Sequence, residues 1–366
     1  MLIYEFARQK GAKVNLTFGL PMEGPDLRGV RNLSAYLRAL TYSLASMPNI
    51  SLPRIIAPVV VEVPRVEDLL PEIDQLVAKG EGSFLLQDGK YQVFVAGAAE
   101  IPNILQEIGR LRGIAFLNVG EGSGGIDIDG YDAWYEHLFI WDKEANKIVG
   151  AYRLGKIDEI LRDHGEKGVY SAAFFKYNGL LQRKYLDAIE LGRSFVALEY
   201  QKAHKPLFLL LKGISSYMAF DPRYHFLIGT VSMSNVYTDT FKLLDQSFWE
   251  RYRGSPDGAG IVALNPPRYV TPLLPPELDA LLSIGDNLDL LNEMGKMIEP
   301  DGKGMPVLFR QYLNLDARFL KFSFDREFNC VDGLIEVDVA ELPRPKMAKF
   351  FDPKSLENFM RYRTPK

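Results

Sequence analysis

The sequence is poor in side chains that bind metals or form disulfides. Cys330 is the single cysteine among 366 residues, and the four histidines are His137, His164, His204 and His225. One thiol excludes a disulfide framework within the chain and a zinc site built on several thiolates. No two histidines have the spacing of a helical metal site, so we expect no metal. This cysteine usage is typical of a reducing, cytoplasmic compartment.

Long apolar runs and a strong net charge are also absent. The best apolar stretches, Ile55–Val63 and Pro206–Leu211, are much shorter than the roughly 20 residues needed to span a bilayer. The start of the chain lacks the basic and apolar pattern of a signal peptide. The net charge of -4 supplies no basic field for nucleic acid. We therefore expect a cytoplasmic protein without a nucleic-acid partner, with at most peripheral contact at the inner face of the cytoplasmic membrane.

The patterns that are present predict a mixed α/β chain. Asp88-Gly89, between the alternating runs Ser83–Gln87 and Tyr91–Ala96, predicts a hairpin, and His137–Trp141 with Ile148–Arg153 predicts another. Apolar periodicity predicts further strands at Lys13–Phe18, Ile189–Leu198, Phe226–Met233 and Val331–Val337. It predicts helices at Asn32–Ser46, Val66–Lys79, Ile101–Leu111, Pro206–Phe220, Thr240–Tyr252, Asn287–Met297 and Val307–Leu315. This order of elements favours an α/β or α+β fold with a mixed sheet.

Two segments between these elements have distinctive compositions. Gly120–Gly130 holds five glycines and several acids, which predicts a mobile, solvated loop. The turn Glu199–Lys205 joins a strand to a helix opened by Pro206. The first turn of a helix has free backbone N–H groups and a partial positive charge, so this junction is suited to a phosphate group.

Several segments, in order, resemble a known enzyme family. His137–Asp142, Ile148–Gly155 and Glu190–Ser194 resemble the GNAT-type N-acyltransferases of bacterial ornithine- and glycine-lipid synthesis, often called hemolysin-like. The stretch from Arg110 to Asp132 resembles the entry segment of these enzymes, and Pro306–Leu313 with Asp325–Asn329 their closing segment. The match covers roughly residues 85–345. The resemblance implies a GNAT-like acyl-CoA N-acyltransferase fold with a mixed central sheet flanked by helices.

The resemblance also implies an activity. A fatty acyl group would move from the thioester of acyl carrier protein to the α-amino group of an amino acid, as in the first step toward an ornithine or glycine lipid. The amine would attack the thioester directly in a ternary complex, without a metal, a covalent acyl-enzyme or a cofactor besides the donor. The ammonium must first lose a proton, which requires a general base or a water chain. A backbone N–H of the Ile189–Leu198 strand would meet the oxyanion.

By position in this resemblance, Glu190 is the candidate base or ammonium holder, and Arg193 the candidate partner of a carboxylate. Arg153 and His137, on neighbouring strands, would complete a polar wall, and Arg110 and Asp132 are further candidates. Residues three apart on a strand point to opposite faces, so Glu190 and Arg193 share a site only if a bulge intervenes. The donor phosphopantetheine would be bound by Phe195, Val196, Ala197, Gln201, Lys202, His204 and Lys205.

The donor loop departs from the family pattern. The usual GNAT loop has glycines that let the backbone approach the pyrophosphate of coenzyme A, whereas Gln201–Pro206 contains none. A carrier-bound phosphopantetheine arm brings only one phosphate. The loop therefore favours acyl carrier protein over free acyl-CoA as the donor.

Two other functions are compatible with parts of the sequence. A glycine-free loop also fits a non-catalytic GNAT-fold module that binds acyl chains or a carrier protein. His137 and Asp142 match the His-x-x-x-x-Asp signature of lyso-lipid O-acyltransferases, and Glu121-Gly122-Ser123 resembles part of their second motif. That second motif should follow the first but precedes it here, and His137 to Asp142 is predicted as a strand, so the match is interpreted as chance.

The first residues carry a second resemblance. Arg8–Pro21 and Leu33–Leu44 resemble the end of a lysophospholipid acyltransferase domain, without its catalytic motifs. The predicted division is therefore a remnant over residues 1–52, a linker and helix over 53–84, the N-acyltransferase domain over 85–345 and a tail over 346–366.

Overall fold

The computed structural model describes residues 18–19, 21–22, 27, 30, 32–44, 63–122 and 124–363. The chain forms two compact units. The smaller unit comprises Met1–Asn49, Thr238–Asp245 and Tyr269–Met305, and the larger one Ile50–Tyr237, Gln246–Arg268 and Pro306–Lys366. The predicted strand Lys13–Phe18, the segment Arg8–Pro21 and the linker from 48 to 62 lie mostly outside the described residues. The domain boundaries and the remnant therefore stay predictions.

The larger unit is built on an eight-stranded sheet. Its strands are β1 (Phe84–Asp88), β2 (Tyr91–Gly97), β3 (Glu136–Asp142), β4 (Lys147–Lys156), β6 (Ala188–Val196), β7 (Phe226–Ser234), β9 (Arg318–Asp325) and β10 (Cys330–Asp338). Their order is β1-β2-β3-β4-β6-β7-β10-β9, and every neighbouring pair is antiparallel except the parallel pair β6–β7. The short strands β5 (Phe175–Lys176) and β8 (Val262–Ala263) form a separate pair. The predicted mixed sheet is confirmed.

Helices flank this sheet and make up most of the smaller unit. They are α1 (Leu33–Ser43), α2 (Val66–Lys79), α3 (Pro102–Asn118), α4 (Ile157–His164), α5 (Leu180–Lys184), α6 (Lys205–Phe220), α7 (Asp239–Tyr252), α8 (Pro275–Leu282), α9 (Leu288–Ile298), α10 (Val307–Asn314), α11 (Arg344–Phe350) and α12 (Pro353–Arg363). In the smaller unit α1 begins at the cap Asn32, whose side chain accepts the Ala35 N–H, and packs mainly on α8. Among the described residues, no helix combines the length and apolar character needed to cross a bilayer.

Apolar side chains along β2 and β3 point alternately to the two faces of the sheet, and helices cover both faces. Phe94 and Phe139 stack with ring centroids 5.5 Å apart, in the same core cluster as Ile104 of α3. Their neighbours Val93 and Leu138 face the opposite side, where Gly213 of α6 lies so close that an added Cβ would be 2.8 Å from Val93. Burial of each large apolar side chain stabilises the fold by roughly 1.5–3 kcal/mol. The period of two in the sequence therefore specifies a sheet covered on both faces.

The parallel pair β6–β7 separates partway along its length. Pairing runs from Ala188–Phe226 only to Leu191–Gly229. At the last pair a Cβ on Gly229 would be 2.2 Å from the Leu191 carbonyl oxygen, so only glycine permits this approach of the two backbones. Beyond it the two strands diverge, and each continues with a different neighbour.

β6 contains the bulge on which the predicted site depended. Gly192 pairs with Arg153 and Phe195 with Ala151, so two residues of β6 stand opposite one of β4. Arg193, in this bulge, has a φ of 50°, a left-handed backbone conformation that residues other than glycine rarely adopt. The predicted site required a bulge between Glu190 and Arg193, and the structure has the bulge at Arg193 itself, together with Ser194.

The glycine-rich loop was predicted to be mobile and solvated, and this prediction is wrong. Its described part packs along α3. The Asp127 N–H donates to the Gly109 carbonyl at 3.0 Å, and a Cβ on Gly113 would be 1.8 Å from the Gly125 carbonyl oxygen. Glu121 is only 9% exposed. The glycines serve close backbone contact rather than mobility.

Replacement of Gly113 by alanine is expected to lower the free energy of unfolding by about 1–2 kcal/mol, because the added methyl overlaps the Gly125 carbonyl. Helix propensity alone predicts the opposite sign, a gain of about 1 kcal/mol. Denaturant unfolding measures the difference. The matched control is Gly260→Ala, since a Cβ there meets nothing within 4 Å. A Gly113→Ala protein at least as stable as the wild type would show that the loop does not pack on α3.

Candidate active site

A cavity of about 910 Å³ opens where β6 and β7 diverge. The bulge of β6 and the second half of β7 form two sides, and α6 and α10 form the others. It is open to solvent where the exposed side chains Phe208 and Val307 line it. The lining residues are Ala115, Phe116, Val119, Glu121, Tyr170, Arg193, Ser194, Phe195, Val196, Gln201, Ala203, His204, Lys205, Leu207, Phe208, Leu210, Leu211, Thr230, Val231, Ser232, Ser234, Tyr237, Pro306, Val307, Leu308, Gln311, Tyr312, Asp325, Phe328, Cys330, Asp332, Lys349 and Phe350.

One wall of the cavity is apolar. α6 contributes Leu210 and Leu211, which are buried, and α10 contributes Leu308. Helix α6 presents these leucines because its sequence is apolar over most of its surface, so one set packs on the sheet and another remains free to line the cavity. Such a surface suits a hydrocarbon chain.

The opposite end of the cavity is acidic. Asp325 ends β9, Asp332 lies in β10, and Glu121 follows α3; all three are buried and line the cavity. Burial, followed by the charges of Asp332 and Asp325, raises the pKa of Glu121 to about 8. Burial raises the pKa of Asp332 to about 6. The hydrogen bond that Asp332 accepts from the Ser232 hydroxyl at 2.7 Å acts in the opposite direction and lowers this pKa.

Arg193 connects this end of the cavity to the packed loop. Its guanidinium forms ion pairs at 3.1 Å with Asp127 and with Asp129, and donates to the Tyr170 hydroxyl at 2.8 Å. The charged carbon lies 4.2 Å from the centre of the Phe328 ring. Arg193 lines the cavity, as a partner of a substrate carboxylate must, although its strongest contacts are within the protein.

Next to Arg193 lies a network of arginines and aspartates, of which Arg112, Arg153 and Asp132 are fully buried. Asp132 accepts from Arg112 at 2.8 Å and lies 3.3 Å from Arg153, which also donates to Asp129 at 2.6 Å. Burial alone would raise the pKa of Asp132, but the charges of Arg112 and Arg153 outweigh it and lower the pKa to about 2. None of these side chains lines the cavity. Their contacts connect the packed loop to α3 and β4, so Arg153 and Asp132 lie where they position Arg193 rather than where they touch a substrate.

Glu190 does not line the cavity either. Its two carboxylate oxygens accept the backbone N–H groups of Tyr170 and Ser171 at 2.9 and 2.8 Å, and the Tyr135 hydroxyl is a further donor. Glu190 and Arg193 both contact Tyr170: Glu190 accepts its backbone N–H, and Arg193 donates to its hydroxyl. A carboxylate enclosed in this way is placed to hold the loop at Tyr170, and its position does not support the predicted role as a base.

His137 is a hydrogen-bonded core residue. Nε2 lies 3.1 Å from the Asp132 carbonyl, and Nδ1 lies 3.4 Å from Arg112. Burial and the neighbouring Arg112 lower the pKa of His137 to about 4, so the ring is neutral near pH 7. The partner in the supposed signature, Asp142, instead accepts the Tyr200 hydroxyl and the N–H groups of the hairpin turn. Residues five apart on a strand point to opposite faces, and the interpretation of this match as chance agrees with the geometry.

The predicted donor-binding segment lies mostly at the cavity. Phe195, Val196, Gln201, His204 and Lys205 line it, and Ala197 and Lys202 do not. The Ala197 N–H donates to the Val149 carbonyl at 2.9 Å and is therefore not available to an oxyanion. The further candidate Arg110 forms a bidentate pair with Glu107 at 2.7 Å, away from the cavity.

A metal has one conceivable set of ligands among the described residues. The side-chain ligand atoms of Asp325, Cys330 and Asp332 lie within 4.8 Å of one another. Burial and then the charge of Asp332 raise the pKa of the Cys330 thiol well above its usual value, so it remains protonated and a poor ligand. Asp325 already accepts the N–H groups of Glu327 and Phe328. This chemistry favours a hydrogen-bonded acidic cluster, and the expectation of no metal stays a prediction.

The acidic end was missed as a site by the sequence reasoning. Its residues lie in segments that were singled out for other reasons: Glu121 in the glycine-rich loop, and Asp325 beside Phe328 in the closing segment. The available signal was a pair of aspartates seven residues apart, Asp325 in the closing segment and Asp332 in the predicted strand Val331–Val337. Nothing local connects them to Glu121, about two hundred residues earlier in the chain.

Comparison with known proteins agrees with this geometry. A family model described as an acetyltransferase (GNAT) domain matches residues 111–211, from the end of α3 into α6. A glycine N(alpha)-acyltransferase of Phocaeicola vulgatus is 30% identical over 250 residues, which are 63% of this chain and 74% of the relative. A second one, of Bacteroides thetaiotaomicron, is 36% identical over 154 residues, 39% of this chain and 46% of the relative.

Among solved structures, the CoA-dependent acyl-homoserine lactone synthase MesI is 11% identical with a TM-score of 0.34, covering 74% of this chain and 94% of the other. That similarity is too low to transfer any residue's role. The family membership rests instead on the two sequence relatives and on the match to the GNAT family model. Together they show that this chain belongs to the GNAT-type N-acyltransferase family that includes the glycine N(alpha)-acyltransferases, and that it is an acyltransferase.

Proposed function

We propose that this acyltransferase moves a fatty acyl group from the thioester of acyl carrier protein to the α-amino group of an amino acid, with glycine or ornithine as the first acceptors to consider. The observation that carries the proposal is that one cavity joins an apolar wall to an acidic end. A hydrocarbon chain is suited to the first, and an ammonium group to the second. Two relatives named as glycine N(alpha)-acyltransferases support an amino-acid acceptor.

The size of the cavity supports a long acyl group. At about 910 Å³ it lies near the upper end of the roughly 300–1,000 Å³ typical of small-molecule sites. An acetyl group would leave most of this space unused. The leucine-rich wall formed by α6 and α10 makes the remaining volume suitable for a hydrocarbon chain.

The mouth of the cavity supports a carrier-bound donor. His204, which precedes α6, makes no capping bond through its side chain, and both His204 and Lys205 line the cavity. The first turn of a helix is suited to a phosphate group. The Gln201–Pro206 turn has no glycine with which to wrap a pyrophosphate. One phosphate of a phosphopantetheine arm fits such a turn better than coenzyme A does. No cofactor besides the donor is needed.

The proposed reaction forms an amide and breaks a thioester. The neutral amine nitrogen attacks the acyl carbon, the carbon–sulfur bond breaks, and the thiolate leaves with the second proton of the amine. Holding both substrates in one cavity supplies most of the catalytic advantage, since effective molarities of oriented groups reach roughly 10⁵ M or more. No acyl-enzyme is required.

The test is acyl transfer with defined substrates. Palmitoyl acyl carrier protein and palmitoyl-CoA, each with glycine, ornithine, serine or a lysophospholipid, are incubated with the protein and analysed by mass spectrometry. We expect an N-acyl amino acid and a higher kcat/KM with the carrier protein. An O-acylated phospholipid as the main product would contradict the proposal, and so would donor binding without transfer to any amine.

A further inference from the structure

Glu121 is a buried carboxylate at the acidic end of the cavity. Two other buried carboxylates accept backbone N–H groups: Glu72 those of Asn103 and Ile104, and Glu190 those of Tyr170 and Ser171. Glu121 is 9% exposed, yet none of the residues that the structure describes donates a hydrogen bond to its side chain or forms an ion pair with it. Its oxygens are not among the fully enclosed unpaired atoms of the described residues, so the reason for an unpaired carboxylate here is sought in the cavity that they reach.

The direction in which this carboxylate faces supplies that reason. Glu121 lines the cavity, and its backbone is held by bonds from its N–H to the Phe116 carbonyl at 2.9 Å and from the Gly122 N–H to the Phe328 carbonyl at 3.3 Å. The second bond connects the loop to the turn between β9 and β10, which carries Asp325. The three carboxylates therefore meet at one end of the cavity, and Glu121 is the one to which no described residue donates a hydrogen bond.

We propose that Glu121 is the general base of acyl transfer, taking a proton from the α-ammonium of the acceptor while Asp325 and Asp332 hold that ammonium beside it. This role rests on the proposed function. The first ammonium proton passes to a Glu121 oxygen, and the nitrogen lone pair then attacks the acyl carbon. As the carbon–sulfur bond breaks, the second proton leaves with the thiolate. Glu121 returns its proton to solvent after the products depart.

The electrostatics of the cavity end support this assignment. Burial and the facing carboxylates of Asp332 and Asp325 raise the pKa of Glu121 to about 8, although Arg193 opposes them. A base works best when its pKa lies near the operating pH. The other groups that face it are Tyr170 and the Cys330 thiol, both with pKa values raised by burial, and Arg193, whose pKa is also raised. Burial also raises the pKa of the neighbouring Asp332, to about 6.

The test compares Glu121→Gln with the wild type in carrier-protein-dependent transfer to glycine. The wild-type kcat/KM for the amine is expected to rise with pH through an inflection near 8, because the free carboxylate is the active form. Glu121→Gln is expected to lose about 10²–10⁴-fold in kcat/KM and to lack that inflection. Asp325→Asn is expected to raise KM for the amine more than it lowers kcat. The matched control is Glu327→Gln, an exposed carboxylate in the same turn, which should leave the profile unchanged.

A second acceptor separates loss of the base from loss of structure. Methoxyamine is already neutral at pH 7 and needs no deprotonation, so Glu121→Gln should use it about as well as the wild type does. Equal losses with glycine and methoxyamine would overturn the role of Glu121 as the base, as would an unchanged pH profile in Glu121→Gln. Failure of the wild type itself to acylate any amine would instead refute the proposed function.

Discussion

Asp132→Asn is expected to lower the free energy of unfolding by about 3–5 kcal/mol, the largest stability effect expected in this chain. The substitution keeps the shape of the side chain but leaves Arg112 and Arg153, both fully buried, without their shared carboxylate. Equilibrium unfolding in denaturant at pH 7 measures the difference. The control is Glu357→Gln, which removes a pair with Arg361 whose side chains are 66–72% exposed, and which should cost at most about 0.5 kcal/mol.

The same substitution has a distinctive dependence on pH. The pKa of Asp132 is about 2 in the folded chain and about 3.9 in an unfolded chain, so the carboxylate stabilises the fold fully above about pH 4. As the pH falls from about 4 to 2, the folded carboxylate takes up a proton and this stabilisation is lost. The gap between wild type and Asp132→Asn should therefore close over that window. A gap that stays constant down to pH 2 would show that charge is not what Asp132 contributes.

Leu211→Trp is expected to change which acyl chains are transferred. Leu211 is buried on the apolar wall, so a larger ring there takes space that the end of the acyl chain would occupy. If the ring excludes roughly three methylenes at about 0.8 kcal/mol each, the preference for palmitoyl over decanoyl donors should fall by about fifty-fold. The ratio of kcat/KM for the two carrier-bound donors is the measurement.

The control for this change lies on the same helix. Phe220→Trp also places an indole on α6, but Phe220 is 52% exposed and does not line the cavity. Its chain-length preference should match that of the wild type. If both tryptophan variants shift the preference equally, or if Leu211→Trp shifts it not at all, the acyl chain does not lie along this wall.

The local elements were predictable because their signals are local. The Asp88-Gly89 turn with alternating flanks is enough to specify β1 and β2, and apolar periodicity is enough to specify α2 and most of α6. The helix predicted at Ile101–Leu111 extends to Asn118, since its later residues pack against the glycine-rich loop and the local pattern does not report that contact. β9 was not predicted, although it completes the edge of the sheet next to β10.

The structure brings some of the predicted site residues to one cavity and places others away from it. Arg193 and most of the donor segment line the cavity, because they belong to one continuous stretch around the bulge of β6. Glu190 and His137 are polar residues on the expected strands, but their hydrogen-bond partners come from other segments and enclose them. Whether a polar side chain faces a cavity or the core depends on those partners, which spacing along one strand does not specify.

The sequence by itself determined the family, the mixed sheet and the strand-to-helix junction that leads into the cavity, because ordered segments and short-range periodicity carry that information. Only the tertiary structure decided which acids meet. Glu121 joins Asp325 and Asp332 because β10 pairs between β7 and β9 and because the glycine-rich loop packs along α3. Those contacts join residues about two hundred positions apart, and burial, which sets the chemistry of the three carboxylates, arises only when the contacts form.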